Sequence, residues 1–235
     1  MTDDGRTVAR SEDVRAMFSR VAPRYDLINT LMTFGMDRRW RSLIQRRAGL
    51  RPNDYLLDLA TGTGQLAFDA RRSQPDARIV AGDLTREMVS LARQRPGADT
   101  VSWIVLDAQA LPFADETFDV ITHGYLLRYL GDLVTGLVEQ FRVLRPGGRV
   151  VALETSPRPK GLRGAIAAAA ARCGPVILGG AVAGNIRDYA FLQESTLTFC
   201  QPEQVRRAFE EAGFVQCGNR SFMLGMLTVH WAHKP

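Results

Sequence analysis

Two glycines are the residues of this chain best placed to take part in chemistry. Gly62 and Gly64 follow the apolar run at residues 55–59, and a helical pattern begins directly after them. This order predicts a tight turn at the carboxyl end of a buried strand, followed by the N-terminus of a helix. The free N–H groups and the positive dipole end of such a helix favour an anionic or polar ligand.

Three carboxylates accompany the glycine turn. Asp58 lies in the first apolar run, Asp83 ends a second predicted strand, and Asp107 follows a third. A carboxylate at Asp83 could bind the two hydroxyls of a ribose, and one at Asp107 could meet an adenine amino group. A fourth predicted strand ends at Gly124 and opens toward the same crevice. Acids in these places predict a site for S-adenosylmethionine, which carries a ribose, an adenine and a cationic sulfonium.

Two other interpretations of the turn remain open. Residues 62–67 also fit the G-x-G-x-x-A pattern of a dinucleotide site, with Asp83 near the position of a ribose-binding acid. A nicotinamide dinucleotide would turn its pyrophosphate toward the carboxylates. No arginine is evident at the strand ends to offset the repulsion between these negative charges. A bare strand-to-helix turn without a ligand is the second alternative. The glycine motif therefore leaves a nucleotide-binding oxidoreductase open as an alternative function.

Length and composition favour one catalytic domain. The chain has 235 residues, of which 46% are hydrophobic, enough for a full core but not for a second substrate domain. Its three cysteines, Cys173, Cys200 and Cys217, are too far apart for a C-x-x-C site, and their odd number favours a reducing compartment. The first residues lack the apolar core of a signal peptide. We therefore expect a cytoplasmic protein.

The net charge of +5 is concentrated near the N-terminus. Arg38, Arg39, Arg41, Arg46 and Arg47 lie within ten residues. They could form a solvated helix face, or they could attract the protein to an anionic membrane surface as a peripheral protein. A basic chain alone is weak evidence for nucleic acid, so no nucleic-acid partner is expected.

The segment at residues 165–184 is rich in alanine and glycine. Arg172 and Pro175 interrupt it, which is unfavourable for a membrane span. A lid helix over an apolar pocket is the preferred interpretation, and simple core packing is the alternative.

Strands and helices alternate along the rest of the chain, which predicts an α/β fold with a parallel sheet. Helical patterns cover residues 14–20 and 27–50 and begin again near Gly64, Thr85, Asp132 and Pro202. Strand patterns lie near residues 55–59, 78–83, 101–106, 118–122, 149–154, 214–218 and 224–232. We divide the single domain into a disordered start (1–12), N-terminal helices (13–50), a cofactor-binding core (51–156), a lid and substrate region (157–200) and a C-terminal helix with strands (201–235).

Several motifs resemble those of the ubiquinone/menaquinone biosynthesis C-methyltransferases, a family of class I S-adenosylmethionine-dependent methyltransferases. The resembling segments are Tyr25-Asp26-Leu27-Ile28-Asn29, Phe34-Gly35 with Arg38-x-Trp40, residues 142–149 with Glu154-Thr155-Ser156, residues 189–195, and residues 225–230. The resemblance runs from about Val14 to Pro235. It implies a Rossmann-like fold with a seven-stranded, mostly parallel sheet, helices on both faces, N-terminal helices and a lid insertion after strand 5.

The resemblance also implies a set of cofactor contacts. Thr63, Asp83 and the pair Asp107-Ala108 match family positions, whereas Gly124 stands where a serine is usual. The candidate cofactor residues are Asp58, Ala60, Gly62, Thr63, Gly64, Asp83, Leu84, Asp107, Ala108, His123 and Gly124. No metal site is expected, since methyl transfer mainly requires positioning of two reactants.

Methylation of a quinol ring requires a phenolate, because ring carbon becomes nucleophilic when the neighbouring hydroxyl loses its proton. Arg128 is the best candidate to stabilise that oxyanion, with a surface ion pair as its alternative role. Tyr25, Asp26, His123 and Tyr129 are further candidates for orientation or proton transfer. The expected acceptor is an apolar small molecule, a demethylmenaquinol-like quinol. Two departures from the family pattern, Gly124 in place of serine and Tyr129 in place of asparagine, keep another apolar acceptor such as a natural product open. No oligomeric state is predicted.

Overall fold

Short apolar runs form the central sheet, because strands covered on both faces need side chains that are apolar nearly throughout. The computed structural model describes residues 11–32, 35–157 and 195–235. The strands of this part are β1 (Tyr55–Leu59), β2 (Arg78–Asp83), β3 (Ser102–Val105), β4 (Phe118–Gly124), β5 (Leu144–Thr155), β6 (Val215–Phe222) and β7 (Leu227–His233). Their order in the sheet is β3-β2-β1-β4-β5-β7-β6. Among these strands, only β7 runs antiparallel to its neighbours, which are β5 and β6. This arrangement confirms the predicted seven-stranded, mostly parallel sheet.

Helices cover both faces of this sheet. In the described residues they are α1 (Ser11–Val21), α2 (Tyr25–Met32), α3 (Asp37–Ala48), α4 (Gln65–Ser73), α5 (Arg86–Arg93), α6 (Leu133–Val143) and α7 (Pro202–Glu211). One core cluster joins α6 and α7 to the sheet through Leu137 and Phe209. A second cluster on the other face joins α3 and α4 through Ile44 and Leu66. The two layers of helix hold the sheet as the rigid base of the site.

Three boundaries differ from the sequence prediction. The helical pattern at 27–50 is two helices, because Gly35 takes a φ of +70° and its N–H closes a turn onto the Thr30 carbonyl at 2.8 Å. Helix α1 begins at Ser11, two residues before the boundary drawn for the N-terminal helices, and β5 starts at Leu144, well before residue 149. The predicted lid, including residues 165–184, and most of the predicted disordered start lie outside the described residues.

The carboxyl ends of β1, β2 and β4 meet at one edge of the sheet. The chain reverses its direction of growth between β1 and β4, so a crevice opens there, as in other doubly wound sheets. Gly64, with a φ of +86°, leads into α4 at this edge. A Cβ on Gly64 would lie 2.5 Å from Cη2 of Trp103, so only glycine fits between the turn and β3.

Candidate active site

A pocket occupies this crevice at the carboxyl edge. It contains about 750 Å³ of empty space, part of it open to solvent. Of the sequence-predicted site residues, its wall includes Tyr25, Ala60, Gly62, Asp83, Leu84, Asp107, Ala108, Gly124 and Tyr129. Asp58, Thr63, Gly64, His123 and Arg128 lie behind or beside that wall. The structure therefore brings most of the predicted residues to one cavity and separates them into a wall and a supporting layer.

Asp83 is fixed at the pocket by two backbone hydrogen bonds. The N–H of Gly62 donates to its Oδ2 and the N–H of Thr85 donates to its Oδ1, each at 2.8 Å. Burial raises the pKa of the Asp83 carboxyl, and these two hydrogen bonds oppose that rise. Each carboxylate oxygen has lone pairs left after accepting one N–H. Asp83 can therefore accept two further hydroxyls from a ligand in the pocket.

Asp58 supports the glycine turn from below. The carboxylate is fully buried and accepts the hydroxyls of Thr61 at 2.6 Å and Thr122 at 2.7 Å. Burial raises the pKa of Asp58 to about 7. These bonds tie Thr61, in the turn after β1, to the neighbouring strand β4, and the pocket wall does not include Asp58. In the structure Asp58 therefore supports the glycine turn from behind the pocket wall.

Thr63 faces the N-terminal helices. Its hydroxyl donates to Oδ1 of Asp26 in α2 at 2.6 Å, and Arg95 forms an ion pair with the same carboxylate. Arg95 also donates to the carbonyl oxygen of Thr63 at 2.8 Å. This network holds α2 against the glycine turn. As a result, the neighbouring Tyr25 lies over Gly62, where an added Cβ would be 3.5 Å from Cε1 of the tyrosine ring.

Aromatic side chains close the other end of the pocket. Phe18 from α1 packs edge-on against Tyr25 and Tyr129, with ring centroids 6.0 and 5.5 Å apart. Tyr125 follows β4 and also lines the wall. Burial raises the pKa of Tyr25 to about 12 and raises the pKa of Tyr125 further still. Both phenols are therefore neutral near pH 7, and their hydroxyls can orient a ligand without adding charge.

Arg128 lies behind these tyrosines in a buried ion pair. Its side chain is 7% exposed, and the paired carboxylate of Glu154 at the end of β5 is 0% exposed. The guanidinium carbon lies 4.6 Å from the ring centroid of Tyr129 and 5.2 Å from that of Tyr125. Burial alone would lower the pKa of Arg128, but Glu154 and Tyr129 more than offset this effect. Arg128 does form an ion pair, though a buried one rather than the surface pair considered from the sequence.

Comparison with known proteins decides the family. The model of the ubiE/COQ5 methyltransferase family matches residues 6–234. The chain belongs to the ubiE/COQ5 methyltransferase family. A relative from Desulfotalea psychrophila, the ubiquinone/menaquinone biosynthesis C-methyltransferase UbiE, is 41% identical over 97% of this chain and 92% of its own. The demethylmenaquinone methyltransferase of Thermus thermophilus is 38% identical over 93% of this chain and 100% of its own.

Solved structures share the fold of this ubiE/COQ5 methyltransferase. An S-adenosylmethionine-dependent methyltransferase from Aquifex aeolicus is 18% identical, with a TM-score of 0.60 over 83% of this chain and 89% of its own. The cyclase SpnF is 19% identical, with a TM-score of 0.72 over 96% of each chain. A cyclase on the same fold shows that the fold alone does not fix the reaction. The family match and the site identify this chain as a methyltransferase.

Part of the pocket wall of this methyltransferase was not predicted from the sequence. The additional wall residues are Val14, Phe18, Thr85, Met88, Leu106, Gln109, Tyr125, Leu126 and Leu130. Tyr125 has a φ of +61° directly after β4, an unusual conformation for a bulky residue that one sequence does not reveal. Met88 and Phe18 resemble ordinary core positions of amphipathic helices. Within the described part of the chain, no group of three potential metal ligands lies together.

His123 lies beneath the pocket instead of in it. The ring is fully buried on the face of the sheet that α6 covers, and burial lowers its pKa to about 3. His230 on β7 is also buried, with a pKa lowered to about 4. Both imidazoles are therefore neutral near pH 7. The structure places His123 in the packed layer beneath the pocket, outside its wall.

We expect His123 to make the protein sensitive to acid. Its folded pKa lies below the ordinary value near 6.5, so the unfolded chain binds the proton first as the pH falls. The contribution of His123 to the free energy of unfolding is fully present above pH 6.5 and is lost as the pH falls toward 3. Replacing His123 with Gln should flatten the dependence of urea midpoint on pH between 6.5 and 4, as followed by circular dichroism. An unchanged slope would contradict this assignment, and His233→Gln, at a half-buried histidine of β7, serves as the comparison.

Proposed function

We propose that this methyltransferase transfers a methyl group from S-adenosylmethionine to a ring carbon of a demethylmenaquinol-like quinol. The observation that carries the proposal is the two-part character of the pocket. One half has the glycine turn with Asp83 and Asp107, and the other half has a tyrosine wall backed by Arg128. The relatives named above act in ubiquinone and menaquinone biosynthesis or on demethylmenaquinone, as their names state.

The residues of the first half fit the cofactor. Gly62 lets the backbone approach a ligand, since it takes a φ of +55° and has no side chain between the turn and Tyr25. Asp83, already held by two N–H groups, would accept the ribose hydroxyls, and Asp107 would face the adenine. When bound, S-adenosylmethionine supplies an activated methyl group on its sulfonium. The chain contributes position, orientation and the exclusion of water.

The residues of the second half fit an aromatic acceptor. Phe18, Leu126 and Leu130 supply apolar contact, and the neutral tyrosines supply hydroxyl groups. A phenol has a pKa near 10, so the site must stabilise its anion for a ring carbon to react. Arg128 is the permanent cation beside this wall, and in a buried site its attraction for a phenolate is stronger than in water.

A second candidate acceptor is another apolar aromatic compound. Tyr129, which departs from the family pattern that the sequence resembles, fills space against Phe18 at 5.5 Å between ring centroids. A bulkier wall here would favour an acceptor of different shape. This alternative keeps the same cofactor half and the same Arg128 chemistry, so only the choice of acceptor separates the two.

The experiment that separates them is incubation of the protein with methyl-labelled S-adenosylmethionine and a panel of acceptors. The panel contains demethylmenaquinols of several tail lengths and apolar phenols without a tail. We expect label to enter a demethylmenaquinol on carbon, detected by mass spectrometry of the product. Transfer to the tailless phenols alone would contradict the quinol proposal and favour the second candidate.

Replacing Asp83 with Ala should weaken cofactor binding strongly. A hydrogen bond to a charged group contributes about 1.5–3 kcal/mol, so two ribose bonds together correspond to roughly 10²–10⁴-fold in Kd. Calorimetry with S-adenosylmethionine measures the change. The matched control is Asp119→Ala, a half-buried carboxylate paired with Arg145 at the opposite end of the sheet. Equal affinity in Asp83→Ala and wild type would refute the assignment of this half of the pocket.

We also propose that the enzyme binds anionic membranes reversibly to reach an isoprenoid substrate. Among the described residues, no helix has the length and apolar character needed to cross a bilayer. On α3, Arg38, Arg39 and Arg46 are exposed. Arg41 forms ion pairs with Asp37 and Asp69, so its charge is less available to an anionic lipid surface.

Removing the exposed charge of α3 should reduce vesicle binding. Each arginine near an anionic surface contributes about 1 kcal/mol, and salt screens the effect. Arg39→Gln with Arg46→Gln should therefore lower flotation with phosphatidylserine vesicles, and added salt should lower it for the wild type. Arg47 is left intact because its guanidinium stacks 3.8 Å from the ring of Trp231. The control, Arg206→Gln with Arg207→Gln, removes equal charge from α7 on the other sheet face. No flotation of wild type at low salt would exclude the membrane proposal.

A further inference from the structure

The described residues around the acceptor half contain few groups that could take a proton from a phenol. Arg128 stays charged in proteins and cannot serve as a base. Tyr25 and Tyr125 are already protonated near pH 7, since burial raises the pKa of each phenol. His123, with its pKa lowered to about 3, lies under the sheet surface away from the wall. Asp83 is committed to the glycine turn at the cofactor half.

Among the described residues, Glu154 is a further carboxylate close to that half, because its partner Arg128 lies against the rings of Tyr125 and Tyr129. It is fully buried at the end of β5 and forms the ion pair with Arg128. Its Oε1 also accepts the backbone N–H of Thr155 at 2.8 Å, and its Oε2 accepts the backbone N–H of Arg128 at 3.3 Å. These contacts fix the carboxylate directly behind the guanidinium that we assign to the phenolate.

A hydroxyl connects this buried carboxylate with the half-buried end of the strand. The Oγ1 of Thr155 lies 3.3 Å from Oε1 of Glu154 and 3.4 Å from Nη1 of Arg128. On its other side it lies 3.2 Å from the Oγ1 of Thr196. Because a hydroxyl both donates and accepts, Thr155 can pass a proton inward while receiving one.

We infer that Glu154 takes the proton of the acceptor hydroxyl through Thr155, an inference that rests on the proposed function in requiring a hydroxyl-bearing aromatic acceptor. The acceptor O–H bond breaks and its electron pair stays on oxygen. The released proton goes to Oγ1 of Thr155, and the proton of that hydroxyl goes to Oε1 of Glu154. No other reactant is needed.

The buried charge explains why this route is favourable compared with release of the proton to water. Before the transfer, Arg128 is paired with the carboxylate, and after it Arg128 is paired with the phenolate. The site holds one cation and one anion at both stages, so no uncompensated buried charge is created. Thr155 and Glu154 act through hydrogen bonds as a relay and an acceptor, and Arg128 exchanges one counter-ion for another.

Replacing Glu154 with Gln tests the acceptor, because the amide keeps the shape but cannot take the proton. The titratable and charged groups around this position are Arg128, which pairs with Glu154, and Tyr125 and Tyr129, whose rings lie against Arg128; on β7 the residue opposite Glu154 is the uncharged Thr228. We expect kcat at pH 7 to fall by roughly 10²–10⁴. The logarithm of kcat should then rise with pH with a slope of about one, because solvent must now take the proton. A kcat at or above that of wild type would overturn the inference.

Thr155 provides a test that leaves the ion pair intact. Thr155→Val keeps the branched side chain suited to a strand but lacks the hydroxyl, and we expect it to lower kcat by about tenfold or more. Thr155→Ser restores the hydroxyl and should recover activity to within about twofold. Cofactor Kd should stay within about twofold in both variants, since Thr155 lies outside the cofactor half. An equal loss of kcat in Thr155→Val and Thr155→Ser would mean that Thr155 has a packing role, and would overturn the proposed relay.

A binding measurement gives a readout that does not depend on turnover. A nitrophenol bound in the pocket reports its ionisation by absorbance, because phenolate absorbs at longer wavelength than phenol. With Glu154 as acceptor, the ionised fraction in wild type should not change between pH 6 and 8, since the proton stays in the protein. In Glu154→Gln the ionised fraction should rise with pH. A wild-type fraction that rises in the same way would overturn the inference.

Assays of the wild-type protein with the acceptor panel show whether a failure lies in this inference or in the proposed function. Methylation of a tailless phenol alone contradicts the quinol assignment, and the variant-to-wild-type ratio on that phenol still measures the role of Glu154. Methylation of the quinol with full activity in Glu154→Gln supports the proposed function and overturns the inference.

Discussion

The carboxylate of Asp83 accepts the N–H of Gly62 at 2.8 Å, and the shape of the cofactor half depends on this bond. It ties the end of β2 to the turn after β1, while Asp58 ties the same turn to β4 through two threonine hydroxyls. Three neighbouring strands therefore hold one short loop. Such a loop needs little reorganisation when a ligand binds, which is what positioning catalysis requires.

Electrostatics divide the pocket into two environments. The cofactor half is acidic and suits a cofactor with hydroxyl, amino and sulfonium groups. The acceptor half has neutral tyrosines over a buried Arg128–Glu154 pair. A buried pair contributes little net stability compared with apolar packing, so its presence here is better explained by function than by folding. It supplies a cation whose counter-ion can change without altering the total charge.

The fold, and the placement of the glycine turn and of two acids at one edge of the sheet, could be predicted from the sequence because both depend on local patterns. Apolar runs alternating with helical periods specify a parallel sheet, and parallel strands place their following residues at one edge. Gly62, Asp83 and Asp107 could therefore be found from their positions after strands. The break between α2 and α3 was not predicted, because the residues on both sides of Gly35 have the apolar pattern of one continuous helix.

By itself, the sequence determined the seven-stranded, mostly parallel sheet, the glycine turn and the family. Only the tertiary structure decided which of the predicted residues line the pocket. Asp58 and His123 sit on the right strands, but their side chains are buried away from the wall. Arg128 meets Glu154 across 26 residues of sequence, and no local pattern records that pairing. Side-chain direction and long-range partners arise from packing of separate elements, which spacing along one chain does not encode.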